Sequence, residues 1–230
     1  MQFSNFSVFI NSISNVSLRV LDASIPNEKY VTIDLSETND ILNKVDMSSS
    51  SKLEVFVNDH IKKHEAQIAY GGYLELRNIY KRSNHFNGQA AEERNIHLGI
   101  DLWCDAERPI YAPLEGVVHS FKNNTNYGDY GPTIILKHHI KGVAFYTLYG
   151  HLSLTSIKNL KVGQPFKKGD KIAALGDASV NGDYSPHLHF QIIKDLQGYK
   201  GDYPGVCSKL DLEFYKDNCP DPNLLLKLGV

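Results

Sequence analysis

His97-Leu98-Gly99-Ile100-Asp101 and, far downstream, His187-Leu188-His189-Phe190 place a histidine, an aspartate and a His-x-His pair in one chain. Residues i, i+2 and i+4 of a β-strand share one face. If the first segment is a strand, His97, Gly99 and Asp101 point the same way, with the glycine leaving space between two ligands. If the second is a strand, His187 and His189 share a face as well. A catalytic zinc site needs three protein ligands and one open position for water. The two segments can supply three ligands and keep a histidine for chemistry, which makes a metallohydrolase the leading reading.

Outward from these motifs the pattern is short strands punctuated by Gly, Pro and Asn. Residues 110–112, 116–121, 133–137, 144–149, 171–175 and 187–193 read as strands. Frequent turns between short strands argue for a mainly β sandwich or roll over residues 71–230. Residues 1–70 read as a small α+β region of unassigned role. There, residues 7–10, 16–21 and 30–35 alternate like strands, and capping residues in 36–40 precede a short helix at Ile41 and Leu42. Leu53, Phe56, Val57, Ile61, His64 and Ile68 then recur at helical steps, opposite Lys52, Asn58, Asp59, Lys62 and Lys63. The tail from Cys219 starts extended before its prolines and closes in a short helical turn.

The bulk numbers exclude several classes. A chain of 230 residues with 42% hydrophobic residues can bury a sizeable core, and a net charge of −2 attracts neither nucleic acid nor anionic membrane. No run approaches the roughly 18 apolar residues of a membrane helix, so no membrane insertion is expected. The first residues lack a basic stretch and an unbroken apolar stretch, which points to a cytoplasmic protein, or to an extracytoplasmic one whose leader has been removed. Cys104, Cys207 and Cys219 form no CxxC pattern, so reduced thiols are the simpler reading; a Cys207–Cys219 bridge stays open.

Six ordered stretches resemble the lysostaphin-like (LytM-type) zinc endopeptidases: residues 97–101, 109–118 (PIYAPLEGVV), 130–138 (YGPTIILKH), 149–152 (YGHL), 162–172 (VGQPFKKGDKI) and 185–190 (SPHLHF). The resemblance implies a duplicated β-roll, or antiparallel β-sandwich, with one zinc ion per chain held by His97, Asp101 and His189. It also implies that His151 and His187 are the catalytic pair, acting on a peptide or peptidoglycan-derived substrate. Residues 76–80, 130–134, 145–153 and 219–226 look similar to a narrower branch, the peptidase-like domain found beside class III aminotransferase and kinase-like domains. That branch lacks an obvious cell-wall address, so the likeness carries the chemistry further than the substrate.

The physical case stands beside the resemblance. Two neutral imidazoles and a carboxylate leave a zinc site at about +1, and zinc lowers the pKa of bound water to about 7 while polarising a carbonyl. Amide hydrolysis also needs a base for the water and a donor for the oxyanion or leaving amine. His151 and His187 can divide these roles in either order. The alternatives are a metal-bearing, non-proteolytic binding or regulatory domain, and a hydrolase of a cytosolic small amide. Residues 162–172 also have the rhythm of a biotinyl or lipoyl carrier hairpin, but no Ala-Met-Lys-Met motif accompanies it.

Further residues are candidates for substrate binding. Tyr149, Tyr130 and Tyr184 either line a groove or pack in the core. His85 lies in a polar loop before the metal motif. Arg77 either binds a substrate carboxylate or pairs with Glu75. The loops 123–131 and 177–186 are candidate cleft walls. His60 and His64, four apart on the expected helix, enclose Ile-Lys-Lys and so lack the HExxH glutamate. His138 and His139 are adjacent on a strand, the first turned toward the site and the second toward solvent. His119 reads as a packed strand residue.

Overall fold

The computed structural model describes residues 5–46, 49–82 and 92–229. In chain order its elements are α1 (Phe6–Asn11), β1 (Tyr30–Thr32), α2 (Ser50–Lys63), β2 (Ile68–Gly71), β3 (Ile96–His97), β4 (Ile100–Trp103) and β5 (Pro109–Tyr111). There follow β6 (Gly116–Asn124), β7 (Gly131–Ile140), β8 (Val143–Gly150), α3 (Leu154–Ile157), β9 (Pro165–Phe166) and β10 (Lys171–Ala174). The last are β11 (His187–Ile193), β12 (Val206–Cys207), α4 (Leu212–Asn218) and α5 (Asn223–Leu226). One eight-stranded sheet runs β1-β2-β4-β11-β8-β7-β6-β9, and β10–β5 and β12–β3 form two small ribbons. The fold is therefore mainly β, and α+β overall.

Local chemistry explains the long hairpin at the sheet's centre. Ile140 pairs with Val143, and between them Lys141 and Gly142 both take positive φ, 51° and 81°. Such two-residue loops match the right-handed twist of the strands they join. The β11 strand is buried along its whole length, because it lies between β4 and β8. Its alternation still sorts its side chains. Leu188, Phe190 and Ile192 enter the main apolar cluster with Ile100, Leu102, Ile134, Leu136 and Tyr149, leaving His187, His189 and Gln191 on the other face.

The N-terminal region departs from its expected elements in two places. Residues 7–10 are helical, not extended: Asn5 caps α1 by accepting from Ser7 N, and Phe6, Phe9 and Ile10 bury one helical face. Both phenylalanine rings pack on Phe145, an i, i+3 pairing hidden in a four-residue window. Residues 16–21 form no strand. Val20 and Leu21 are both buried although adjacent, and Leu18 N donates to the Leu225 carbonyl of α5, so the segment is held by side-chain packing and single bonds. The short 3₁₀ turn at Asp40–Lys44 and the C-terminal turn at Asn223–Leu226 follow expectation, and so does the helix as far as Lys63. The expected helical face ran on to Ile68, but His64 caps α2 and Ile68 opens β2, where pairing with Tyr30 of β1 takes it into the sheet. Position 70 lies inside β2, which pairs in parallel with β1 and antiparallel with β4, so the N-terminal strands extend the same sheet that carries the site.

Candidate metal centre

Strand register brings the polar side chains of β11 to their partners. His189 lies opposite Asp101 of β4 and, on the other side, opposite Gly150, the residue before His151. His187 lies opposite Trp103, and the two rings stack with centroids 5.6 Å apart. His97 and Asp101 do not share one uninterrupted strand, since Leu98 and Gly99 separate β3 from β4. The glycine leaves space for a different residue from the one expected: the ring of His189, not the gap between His97 and Asp101. A Cβ at Gly99 would stand 2.6 Å from His189 Cε1 and 2.7 Å from Nε2, so its absence makes room for that ring.

His97, Asp101 and His189 each offer one atom able to bind a metal ion, these atoms lie within 4.8 Å of one another, and all three residues are buried. His97 Nε2 is 2.9 Å from His189 Nδ1 and 3.3 Å from Asp101 Oδ1, and His189 Nδ1 is 3.2 Å from the same oxygen. Protonation follows from the outer partners. His97 Nδ1 donates to the Gly72 carbonyl at 2.9 Å, which leaves a lone pair on Nε2. Gln191 Nε2 donates to the Pro204 carbonyl, which turns Gln191 Oε1 toward His189 Nε2 at 3.0 Å. His189 therefore carries its proton on Nε2 and presents a lone pair at Nδ1. Two lone pairs and a carboxylate oxygen facing each other at these distances repel unless a cation, or an extra proton, lies between them. Carbonyl or amide oxygens holding the outer nitrogens of ligating histidines are the usual support of a metal site. The residues fit a divalent ion with nitrogen and oxygen ligands.

The remaining histidines complete the cluster. His151 Nδ1 donates to the Asn181 carbonyl at 2.8 Å and His187 Nδ1 to the Ser185 carbonyl at 2.7 Å, so each keeps its Nε2 as an acceptor. Their ring centroids are 4.3 Å apart, and His187 Nε2 is 3.8 Å from Asp101 Oδ1. Burial depresses His97 to about 4 despite the attraction of Asp101. Burial also pushes His151 well below its usual value, reinforced by His187 and His189, and lowers His187. Burial alone would raise the Asp101 carboxyl, but His97, Arg77 and His187 outweigh it and hold the group well below the usual carboxylate range. The result is a carboxylate among neutral imidazoles.

Other candidates fall in several places. Arg77 takes the ion-pair alternative: it donates to Asp101 Oδ2 at 2.6 Å and to Glu75 Oε2 at 2.5 Å, and is only 4% exposed. It stands behind Asp101. Tyr149 is a core residue, with its ring against Phe190 and its hydroxyl bonded to Thr147, away from the cleft. Tyr130 and Tyr184 do line the cleft, the first with its hydroxyl 3.4 Å from His189 Nε2. The cleft has a volume of about 270 Å³, and Gly128, Asp129 and Tyr184 from the two expected loops form part of its wall. His85 lies outside the described residues. His138 is turned away from the cleft, bonded to the Glu115 carbonyl and Thr147 and stacked on Phe145, while His139 is exposed. His60 bonds the Thr32 carbonyl and His64 the His60 carbonyl. All three cysteines are buried and unbridged.

Sequence reasoning missed Asn181, Gln191 and Trp103. Asn181 uses its carbonyl for His151 and its side chain to hold Tyr184 N and the Gly176 carbonyl. Only the place of Gln191, two residues after His189 on the same strand face, was a readable signal.

Residues 95–201 match the model of peptidase family M23. A curated relative described as an uncharacterized metalloprotease of Haemophilus influenzae is 33% identical over 95 residues, or 41% of this chain and 18% of that protein. The chain thus spans less than a fifth of that relative's length. Among solved structures, the lysostaphin catalytic domain of Staphylococcus simulans is 26% identical, covering 53% of this chain and 80% of that one with a TM-score of 0.37. A zinc-containing peptidase from Vibrio cholerae is 27% identical, covering 47% and 31% with a TM-score of 0.36. No described helix is long and apolar enough to cross a membrane.

Proposed function

We propose that the chain is a zinc-dependent peptidase, with zinc held by His97, Asp101 and His189 and with His151 and His187 as the catalytic pair. The observation that carries this reading is the convergence of two imidazole lone pairs on one carboxylate oxygen, each ring's outer nitrogen being fixed by an oxygen acceptor. Zinc bound there supplies Lewis acidity toward a water and a substrate carbonyl. The chain's own residues do the rest. His151 and His187 are neutral, with Nε2 able to take a proton from the attacking water and return it to the leaving amine. Arg77 keeps Asp101 oriented and ionised. Tyr130 stands beside His189 at the cleft wall, where its hydroxyl can meet a substrate oxygen.

Substrates in this reading are peptides, with peptidoglycan-derived cross-links one class among them, and the likeness of residues 145–153 and 219–226 to the aminotransferase-associated branch favours a cytoplasmic setting. Elemental analysis should return about one zinc per chain. His189→Ala should lose the metal, whereas His187→Ala should keep it and lose turnover on a peptide library. Full peptidase activity in both variants would sink the proposal.

A further inference from the structure

We infer that the cleft contains an apolar subsite that selects an amide flanked by a bulky aliphatic or aromatic side chain over one flanked by glycine, an inference that rests on the peptidase reading above. Leu35, Leu53, Ile79, Tyr80, Trp103 and Val206 line the same cleft as His151 and His187. These six are buried and belong to one apolar cluster. The wall starts at the reactive centre, because Trp103 is stacked on His187. A substrate held at the two histidines therefore has apolar surface directly beside it.

The N-terminal region supplies two residues of this wall, Leu35 and Leu53. Leu53 projects from α2, whose first residue, Ser50, donates through Oγ to Asp183 Oδ1 at 2.6 Å, in the same loop as the His151 partner Asn181. Leu35 N donates to Glu75 Oε1 at 3.0 Å, and Glu75 in turn holds Arg77. Leu35 and the start of α2 are thus each tied to the site, which gives residues before the M23 match a role in substrate choice. The cleft, about 270 Å³, is at the small end of ligand pockets, which run from about 300 to 1,000 Å³. It suits one or two residues. A glycine beside the scissile amide would leave the apolar wall against water, whereas a leucine or phenylalanine side chain would cover it.

Trp103 is the single tryptophan of the chain and lies in this wall, so its fluorescence reports occupancy directly. Zinc-loaded protein would be titrated with glycine, leucine and phenylalanine hydroxamates, and in parallel assayed on peptides that differ only at the residue flanking the amide. Leucine and phenylalanine hydroxamates should bind at least about tenfold tighter than the glycine compound. Leu53→Phe, which narrows the subsite, should cut the phenylalanine-to-glycine ratio severalfold with zinc content unchanged. Equal binding of the three compounds, or binding of none, overturns the subsite, and the unmodified protein decides this even if the variant does not fold. Discrimination without turnover of any peptide supports the subsite and sinks the peptidase reading. Turnover without discrimination does the reverse.

Discussion

Arg77 Nη1 lies 2.6 Å from Asp101 Oδ2, and both side chains are almost wholly buried. This contact fixes which carboxylate oxygen is left to face His97 and His189. Removing one partner of a buried ion pair leaves the other charge stranded, at a cost of about 3–5 kcal/mol. Arg77→Met should therefore destabilise the metal-free protein by about that amount in urea titrations. A bound cation would offset the stranded Asp101 charge, so the loss should be smaller with zinc present than with chelator. An equal loss in both conditions would show that Asp101 does not face the metal.

Gly99 sets a second test through His189. A Cβ at Gly99 would be 2.6 Å from His189 Cε1 and 2.8 Å from the Phe190 carbonyl, so Gly99→Ala must displace the ring or the strand. Disturbing the support of a metal ligand lowers affinity by about 10–100-fold. Competition with a chromophoric chelator should show a loss in that range, with far-UV circular dichroism unchanged. Unaltered zinc affinity would remove His189 from the ligand set.

The parts of this site that were legible in the sequence are those governed by strand periodicity. His187 and His189 share a face because they are two apart on β11; that Gly99 leaves space was readable too, but not that His189 fills it. What stayed hidden depends on register between distant strands and on backbone partners. Nothing near Asn181 signals that its carbonyl would meet His151, thirty positions away. Tyr149 and Arg77 sit in motifs that invite a substrate role, yet one faces the core and the other is spent on Asp101 and Glu75. In the N-terminal region, short apolar runs such as 7–10 fit helix and strand periods equally well, and only Asn5 as a cap and Phe145 as a partner decide between them.

His151 adopts a left-handed backbone conformation, φ 61°, which a non-glycine residue holds only when its surroundings fix it. Its fixings are the Tyr130 carbonyl on its N–H, Gly176 N on its carbonyl, and the Asn181 carbonyl on its ring. Asn181→Ala removes the side-chain bonds that shape this last turn, worth about 1–3 kcal/mol where a buried partner is left unsatisfied. The expected result is a fall in kcat of about 5–150-fold with zinc content retained, on the conversion of 1.4 kcal/mol per tenfold. A rise in KM alone, with kcat unchanged, would assign His151 to binding and not to proton transfer.

His138 offers a pH test independent of the metal. It is a buried residue of β7 opposite Phe145 of β8, and burial depresses it to about 4 from an ordinary value of 6.5. As the pH falls below about 6.5, the unfolded chain takes up a proton that the folded chain refuses, so stability declines until about pH 4 and then levels off. A shift of this size corresponds to about 3 kcal/mol across that window. His97 and His151 shift in the same direction, so the test is a difference between two proteins. His138→Gln removes the titrating group, and the variant should be less stable than the parent at pH 7.5 because it packs less well beside Phe145. That deficit should shrink by about 2 kcal/mol on going from pH 7 to pH 4.5, as urea unfolding at each pH would reveal. A deficit that stays constant would mean that His138 is protonated in the folded state, or that the strand pair opens before the ring titrates.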